Sequence, residues 1–233
     1  MHELIELDKE LLLSINGAHN LFIDGFAWIV TDTKTWIPAA AMLLYVVFKN
    51  NKPLPALLTI VMLAVAITFA DQFASSLCKP YFQRLRPTHD PELRDLVHVV
   101  ANYRGGLYGF ISSHASNTFA VATFISLTLR NWRMTGAMFL WAVIPSWSRM
   151  YLGVHYPGDI VCGALVGILI GLLVYLPYSK VYDRIADRSK YISDQYTQSG
   201  YLVDDIRHFN TILLLTYFFA MTCGMIVARN MHF

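Results

Sequence analysis

Four stretches of this chain are apolar and nearly free of charge over lengths that few soluble folds contain: Leu54 to Leu77, Ser113 to Leu129, Ile160 to Leu176 and Thr211 to Ala228. A helix crossing a hydrocarbon core of about 30 Å needs roughly 17 to 25 residues. In lipid every backbone N–H and C=O must be satisfied within the segment, so unbroken apolar runs of this kind form helices. Two shorter runs, Thr35 to Phe48 between Lys34 and Lys49, and Met134 to about Trp147, have the character of spans that finish in polar surroundings. A content of 55% hydrophobic against 15% charged residues fits that reading and excludes both a disordered chain and an ordinary soluble domain. The expected fold is an all-α polytopic membrane protein of about six transmembrane helices, with one membrane-embedded domain covering residues 1–233.

The segments outside these runs are read by their pattern. Leu4, Leu7, Leu11, Leu12 and Ile15 form one helical stripe that ends at Asn16-Gly17, so residues 1–34 are expected to supply an interfacial helix lying along the membrane. Leu21 to Ile29 carries Asp24 and is either a second interfacial helix or part of a longer first span. Residues 179–209 alternate charges, as in KVYDRIADRSK, and read as a solvated helical linker before the last span at 211–228. Gly163, Gly167 and Gly171 recur every fourth position and predict close backbone approach to a neighbouring helix. The N-terminus MHELIELDKE is acidic where a secretory signal would be basic, so the mature chain is expected to begin at Met1. Cys78, Cys162 and Cys223 are too few and too scattered for a disulfide framework and are expected to be reduced.

Charge placement bears on orientation and partners. With 18 Lys+Arg against 16 Asp+Glu there is no concentrated basic excess, which argues against a nucleic-acid partner. Six crossings put Lys49 to Lys52, Arg130 to Arg133 and the linker residues Lys180, Arg184, Arg188, Lys190 and Arg207 on one side, expected to be cytoplasmic. The opposite side then receives residues 79–110 and 151–159, which also carry cations and therefore call for a chemical explanation.

Three loops converge on that second side: Lys79 with Arg86-Pro87, Ser112-Ser113-His114, and Ser148-Arg149 with His155 and Asp159. A single Lys or Arg at a membrane boundary is most simply a snorkelling anchor. Three fixed cations with two histidines and a carboxylate are instead what phosphoryl transfer on a lipid head group requires.

In these residues the chain resembles the type 2 phosphatidic acid phosphatase family, whose signature reads KxxxxxxRP, PSGH and SRxxxxxHxxxD. Lys79 and Arg86-Pro87 match the first part, Ser112 and His114 the second, and Ser148-Arg149, His155 and Asp159 the third. The resemblance covers roughly Leu54 to Leu176. Two positions depart from it, Ile111 for Pro and Ser113 for Gly, both at a helix N-terminus where a Gly would let backbone N–H groups approach a phosphate. Ser113 there can act as a cap or as a hydroxyl donor.

The resemblance and the chemistry imply the same roles. His155 is the expected nucleophile, forming a phosphohistidine that water hydrolyses. Asp159, four residues on, fixes its tautomer. His114 is the general acid for the leaving group. Lys79, Arg86 and Arg149 bind non-bridging oxygens, with Ser112, Ser113 and the adjoining amides adding donors. The cations lower the His155 pKa and Asp159 raises it, and two working histidines predict a bell-shaped pH profile. No cofactor and no metal are expected, because the fixed cations supply the charge.

Asp71 is expected to hydrogen-bond inside the bundle, with a part in a proton path as the alternative, and His2, His19, His89, His98, His208 and His232 have no partner at informative spacing. Trp28, Trp36 and Trp147 read as interface anchors, and Pro91 to Val100 as a surface helix. The expected activity is hydrolysis of a lipid phosphate or diphosphate at the outer face of a bacterial inner membrane. Candidate substrates are undecaprenyl diphosphate and lipid A phosphate, then phosphatidylglycerophosphate and phosphatidic acid. A lipid phosphotransferase is the nearest alternative, and an anionic-lipid transporter or binding protein a more distant one.

Overall fold

The computed structural model describes residues 2–186 and 194–230, which form an all-α bundle of eight α-helices. These are α1 (His2–Gly17), α2 (Leu21–Thr31), α3 (Ile37–Asn50), α4 (Pro53–Phe82), α5 (Ser113–Leu129), α6 (Trp132–Tyr151), α7 (Pro157–Ile185) and α8 (Val203–Arg229). Three of them, α4, α7 and α8, are by themselves long and apolar enough to cross a membrane. Arg188, Lys190, His232 and the residue at position 1 lie outside the described residues.

The helices end where their sequence says they should. Pro53 and Pro157 open α4 and α7 at the first turn, where a missing N–H costs nothing. Asn131 caps α6 by accepting from the amides of Arg133 and Met134 at 3.0 and 3.1 Å. The charged segment 179–209 is helical only at its two ends, where α7 runs on to Ile185 and α8 begins at Val203. Residues 194–202 before α8 are turns and bends rather than the expected linker helix, and residues 187–193 lie outside the described residues.

The centre of the bundle is α5 against α7, and it is closest where α7 has no side chains. A Cβ on Gly163, Gly167 or Gly171 would lie 2.6, 2.3 or 2.7 Å from the carbonyl oxygens of Ser112, Ser116 and Ala120. The glycine ladder thus sets the helix spacing, as its four-residue period predicts. A second contact of this kind was not legible: Gly25 of α2 meets Gly224 of α8, with a Cβ on Gly25 only 1.7 Å from the Gly224 oxygen.

That contact settles the place of α2. Gly25 lies on Gly224, Trp36 stacks edge-on against Tyr217 at 5.1 Å, and Lys49 donates to Asp205 at 2.6 Å. Helices α2 and α3, joined by a 3₁₀ turn at Thr33–Trp36, therefore run antiparallel along α8 as one interrupted traverse. Asp24 enters the bundle rather than water, accepting from the Tyr151 hydroxyl at 2.6 Å.

Polar groups sort to the two ends. One end gathers Lys49, Asn50 and Asp205, the Tyr182, Asn51 and Tyr201 hydrogen bonds, and Ser199 donating to the Leu129 carbonyl at 2.8 Å. The turn after α3, the turn after α5 and the approach to α8 thus share one side, as expected. Between the ends the outer faces are apolar: Leu165, Leu169 and Leu173 of α7, and Leu214, Phe218 and Phe219 of α8, are exposed. So large an exposed apolar belt belongs against lipid.

The other end carries α1 and residues 83–112. Leu12 of α1 is fully buried among Leu93, Val97 and Tyr156, while Leu4, Leu7 and Leu11 face outward. Residues 91–97 are turns rather than the expected helix, because Leu93 and Val97 are drawn down onto α1. Helix α1 ends at Asn16-Gly17 as expected, and Asn16 is in addition a buried clamp: its amide donates to the carbonyls of His98 and Tyr151 at 2.9 and 2.7 Å. Trp36 is buried against Trp141 and Tyr217 rather than anchoring the bundle at the interface.

Candidate active site

The motif residues reach the site from helix ends and from the connections between helices. Helix α4 passes through a π turn at Phe73–Cys78, and the wider turn delivers Lys79 to the N-terminus of α5. There the Lys79 ammonium donates to Ser113 Oγ at 3.1 Å. Gln83, left-handed at φ 47°, ends the helix, and residues 84–86 run extended against 107–109. Extended backbone alternates its side chains, so Arg84 and Arg86 share one face while Leu85 takes the other. Arg86 is nearly buried, donating to the carbonyls of Tyr108 and Val154 at 3.2 and 3.3 Å. Gly105, at φ 67°, accommodates it: a Cβ there would lie 2.7 Å from the guanidinium.

Ser112 caps α5, its hydroxyl accepting from the Ala115 amide at 3.4 Å, and its own amide donates to the Asp159 carbonyl at 3.0 Å. Ile111 is buried with Ala74 and Cys78. Arg149 ends α6 almost fully buried, donating to the Thr31 hydroxyl at 2.8 Å and the Tyr103 hydroxyl at 2.9 Å. The turn after it places His155, which has no solvent exposure, against Asp159 in the first turn of α7.

His155 Nδ1 lies 3.3 Å from Asp159 Oδ2, which also accepts from the Tyr156 amide at 3.0 Å. A proton on Nδ1 leaves the lone pair on Nε2, and that nitrogen is buried without a hydrogen-bond partner among the described residues, as is Arg149 Nε. Burial, then Arg86, Arg149 and Lys79, push the His155 pKa well below its ordinary value, with a backbone hydrogen bond to Gly109 pulling the other way. The opposing pulls anticipated between the cations and the carboxylate thus resolve towards a neutral imidazole. The same cations and His155 act electrostatically on His114, so both histidines belong to one cluster.

His114 also lines an apolar cavity of about 440 Å³ bounded by Leu43, Leu63, Val121, Trp141 and Leu213. The cluster therefore joins buried cationic side chains to an apolar space among the helices.

Several participants had no motif to announce them. Thr31 and Tyr103 hold Arg149 from helix α2 and from a loop. Arg84 donates to Asp159 Oδ1 at 3.0 Å and to Asp8 Oδ2 at 2.7 Å. Burial works against its charge, but Asp159 and Asp8 outweigh that and raise its pKa. The period of two through Arg84 and Arg86 was the available signal for it. Asp71 hydrogen-bonds within the bundle, accepting from Asn117 at 3.3 Å. His98 and His19, which have no partner at informative spacing in the sequence, meet in the fold: their rings stack at 4.1 Å, and His98 Nε2 lies 3.3 Å from Asp24 Oδ2. No group of three or more His, Cys, Asp or Glu side chains positioned to hold a metal occurs among the described residues.

Residues 56–183 match the model of the PAP2 superfamily. The chain is 43% identical over 166 residues, 70% of its own length and 73% of the relative's, to the lipid A 4'-phosphatase of Bacteroides thetaiotaomicron. It is 34% identical over 226 residues, 96% of its length and 93% of the relative's, to the lipid A 4'-phosphatase of Porphyromonas gingivalis. Among solved structures it is similar in fold to LpxE of Aquifex aeolicus, with TM-score 0.54 and 24% identity, covering 72% of this chain and 94% of that one. It is also similar to the transmembrane PAP2 type phosphatidylglycerolphosphate phosphatase of Bacillus subtilis, with TM-score 0.56 and 19% identity, covering 82% and 90%. The chain belongs to the PAP2 superfamily, as a multi-pass, metal-independent membrane lipid phosphate phosphatase.

Proposed function

We propose that this enzyme removes the 4'-phosphate of lipid A at the outer face of a bacterial inner membrane, through a phosphohistidine on His155. The observation that carries the mechanism is the state of His155: Nδ1 held on Asp159, Nε2 unpartnered, and three cations acting on the ring. The Nε2 lone pair attacks phosphorus, the bond from phosphorus to the lipid oxygen breaks, and His114 gives that oxygen its proton. Water then attacks the phosphohistidine, returning a proton to His114 and freeing His155 and phosphate. Lys79, Arg86 and Arg149 neutralise the charge spread over the non-bridging oxygens. Ser113 Oγ accepts from the Lys79 ammonium at 3.1 Å, which gives the hydroxyl a holding role at the position where the signature has Gly.

Two relatives bearing the lipid A 4'-phosphatase name support this substrate over undecaprenyl diphosphate. The apolar cavity at His114 supports a ligand whose tail stays among the helices. Six traverses of the bundle, with α2 and α3 counted as one, would cross the membrane and place Lys49, Arg130 and Arg184 on the cytoplasmic side.

The test is phosphate release by purified protein in EDTA from lipid A, undecaprenyl diphosphate, phosphatidylglycerophosphate and phosphatidic acid, beside His155→Ala. Preferred release of the 4'-phosphate, unaffected by the chelator and lost in the variant by a factor of about 10⁴ or more, is expected. Comparable turnover of every lipid would overturn the substrate, and phosphate appearing on a second lipid would make the enzyme a transferase.

A further inference from the structure

We propose that the N-terminal helix α1 is part of the catalytic machinery, with Asp8 and Arg84 acting as positioning residues that hold Asp159, and through it His155, in the reactive arrangement. This rests on the reading of His155 as the nucleophile.

Asp159 has two carboxylate oxygens and no exposure to solvent. Oδ2 is occupied by His155 Nδ1 and the Tyr156 amide. Oδ1 receives Arg84 Nη1 at 3.0 Å. A buried carboxylate stripped of its cation is strongly disfavoured as an anion, and a neutral Asp159 would no longer stabilise the imidazolium character that develops on His155 during attack. The cation beside it is therefore a requirement of the chemistry.

Arg84 is fixed on three sides. Its second arm, Nη2, donates to Asp8 Oδ2 at 2.7 Å, and its guanidinium lies 3.9 Å over the Tyr156 ring. Because the guanidinium is a rigid planar fork, the position of Asp8 sets the direction of the arm that reaches Asp159. Tyr156 is itself held, its hydroxyl donating to Asp90 Oδ2 at 2.8 Å.

Asp8 is anchored to the same helix turn it serves. Its Oδ1 accepts from the Gly158 amide at 2.7 Å, and the absence of a side chain on Gly158 permits the approach, since a Cβ there would lie 2.9 Å from Asp8 Oδ2. Helix α1 is seated by buried Leu12 and by Asn16. Asp8 lies outside residues 56–183, the part that matches the family model, and Arg84 falls on an unspecified position of the KxxxxxxRP motif. The chain of contacts therefore adds a support the signature does not contain.

The experiment measures kcat and KM for lipid A with the full chain in detergent, for Asp8→Asn, Arg84→Ala, Arg84→Lys and the double variant Asp8→Asn with Arg84→Ala. A partner that orients a catalytic group acts on kcat, so Arg84→Ala is expected to lower kcat about 10- to 100-fold, with KM within about twofold. Asp8→Asn should lower kcat less, Arg84→Lys should recover part of the loss, and Asp8→Asn should add nothing in the Arg84→Ala background. Wild-type kcat in folded Asp8→Asn and Arg84→Ala, or a rise in KM alone, would overturn the proposal. If Arg84→Ala fails to fold, Asp8→Asn, which keeps an acceptor for Gly158, decides it. His155→Ala separates this outcome from failure of the nucleophile reading: activity surviving in that variant would sink the reading, whereas activity lost there and intact in Asp8→Asn sinks only the role of α1.

Discussion

His155 combines full burial with three neighbouring cations, and both effects disfavour its protonated form. Nitrogen NMR of labelled protein should show the His155 ring neutral, with the proton on Nδ1, at pH 6.5 and at pH 5. A ring that titrates near its ordinary value of about 6.5 would remove the electrostatic basis for its role. The sign for stability follows from linkage. The unfolded chain takes up this proton below about pH 6.5 and the folded chain does not, so this residue's contribution favours unfolding as pH falls through that value. An acidic limb in kcat/KM near pH 6.5 therefore has to come from the substrate phosphate or another group, not from His155. At this scale the motif singled out His155, Asp159, Lys79, Arg86 and Arg149, and the fold brings these groups together. It was silent on Thr31, Tyr103, Asp8 and Arg84, because a hydroxyl or an ion pair supplied from a distant segment leaves no local pattern.

At the scale of elements, small residues decide how closely the helices approach. Gly167→Ala would set a Cβ 2.3 Å from the Ser116 carbonyl oxygen and Gly25→Ala one 1.7 Å from that of Gly224. Both should lower the apparent Tm in detergent through a loss of about 1–3 kcal/mol or more, since the obstacle is backbone. Gly136 in α6 has nothing within 4 Å of an added Cβ. There Gly136→Ala should be neutral or stabilise by up to about 1 kcal/mol, through helix propensity alone. Equal effects at all three positions would show that packing is not what the glycines serve. The ladder on α7 was legible from its period, whereas Gly25 and Gly224 are single residues some 200 positions apart whose pairing exists only once α2 lies along α8.

For the whole molecule, the separation of charge into two ends makes orientation testable. Tyr81 beside the site and Trp132 at the opposite end are both largely exposed, at 80% and 78%. With Cys78, Cys162 and Cys223 replaced by Ala, Tyr81→Cys should react in intact cells with a maleimide that cannot cross the inner membrane, and Trp132→Cys only after lysis. The reverse pattern would put the site on the cytoplasmic face. Cations also crowd the site end, so the positive-inside rule points Lys49, Arg130 and Arg184 to the cytoplasm only when Lys79, Arg86 and Arg149 are set aside for the proposed reaction.

Apolar length and motif spacing alone determined that the chain is helical, meets lipid, and gathers its motif residues at one end. Those properties are local: a run of hydrophobic side chains dictates a helix in lipid whatever surrounds it, and His155 and Asp159 are neighbours because one turn of chain makes them so. Only the tertiary structure decided that α2 joins α3 in an interrupted traverse, that Asp24 is buried on Tyr151, and that α1 reaches through Asp8 and Arg84 to Asp159. Those depend on which distant faces close on one another, and that is settled by the fit of whole helices, through glycine contacts and buried charge pairs, rather than by any residue's immediate neighbours.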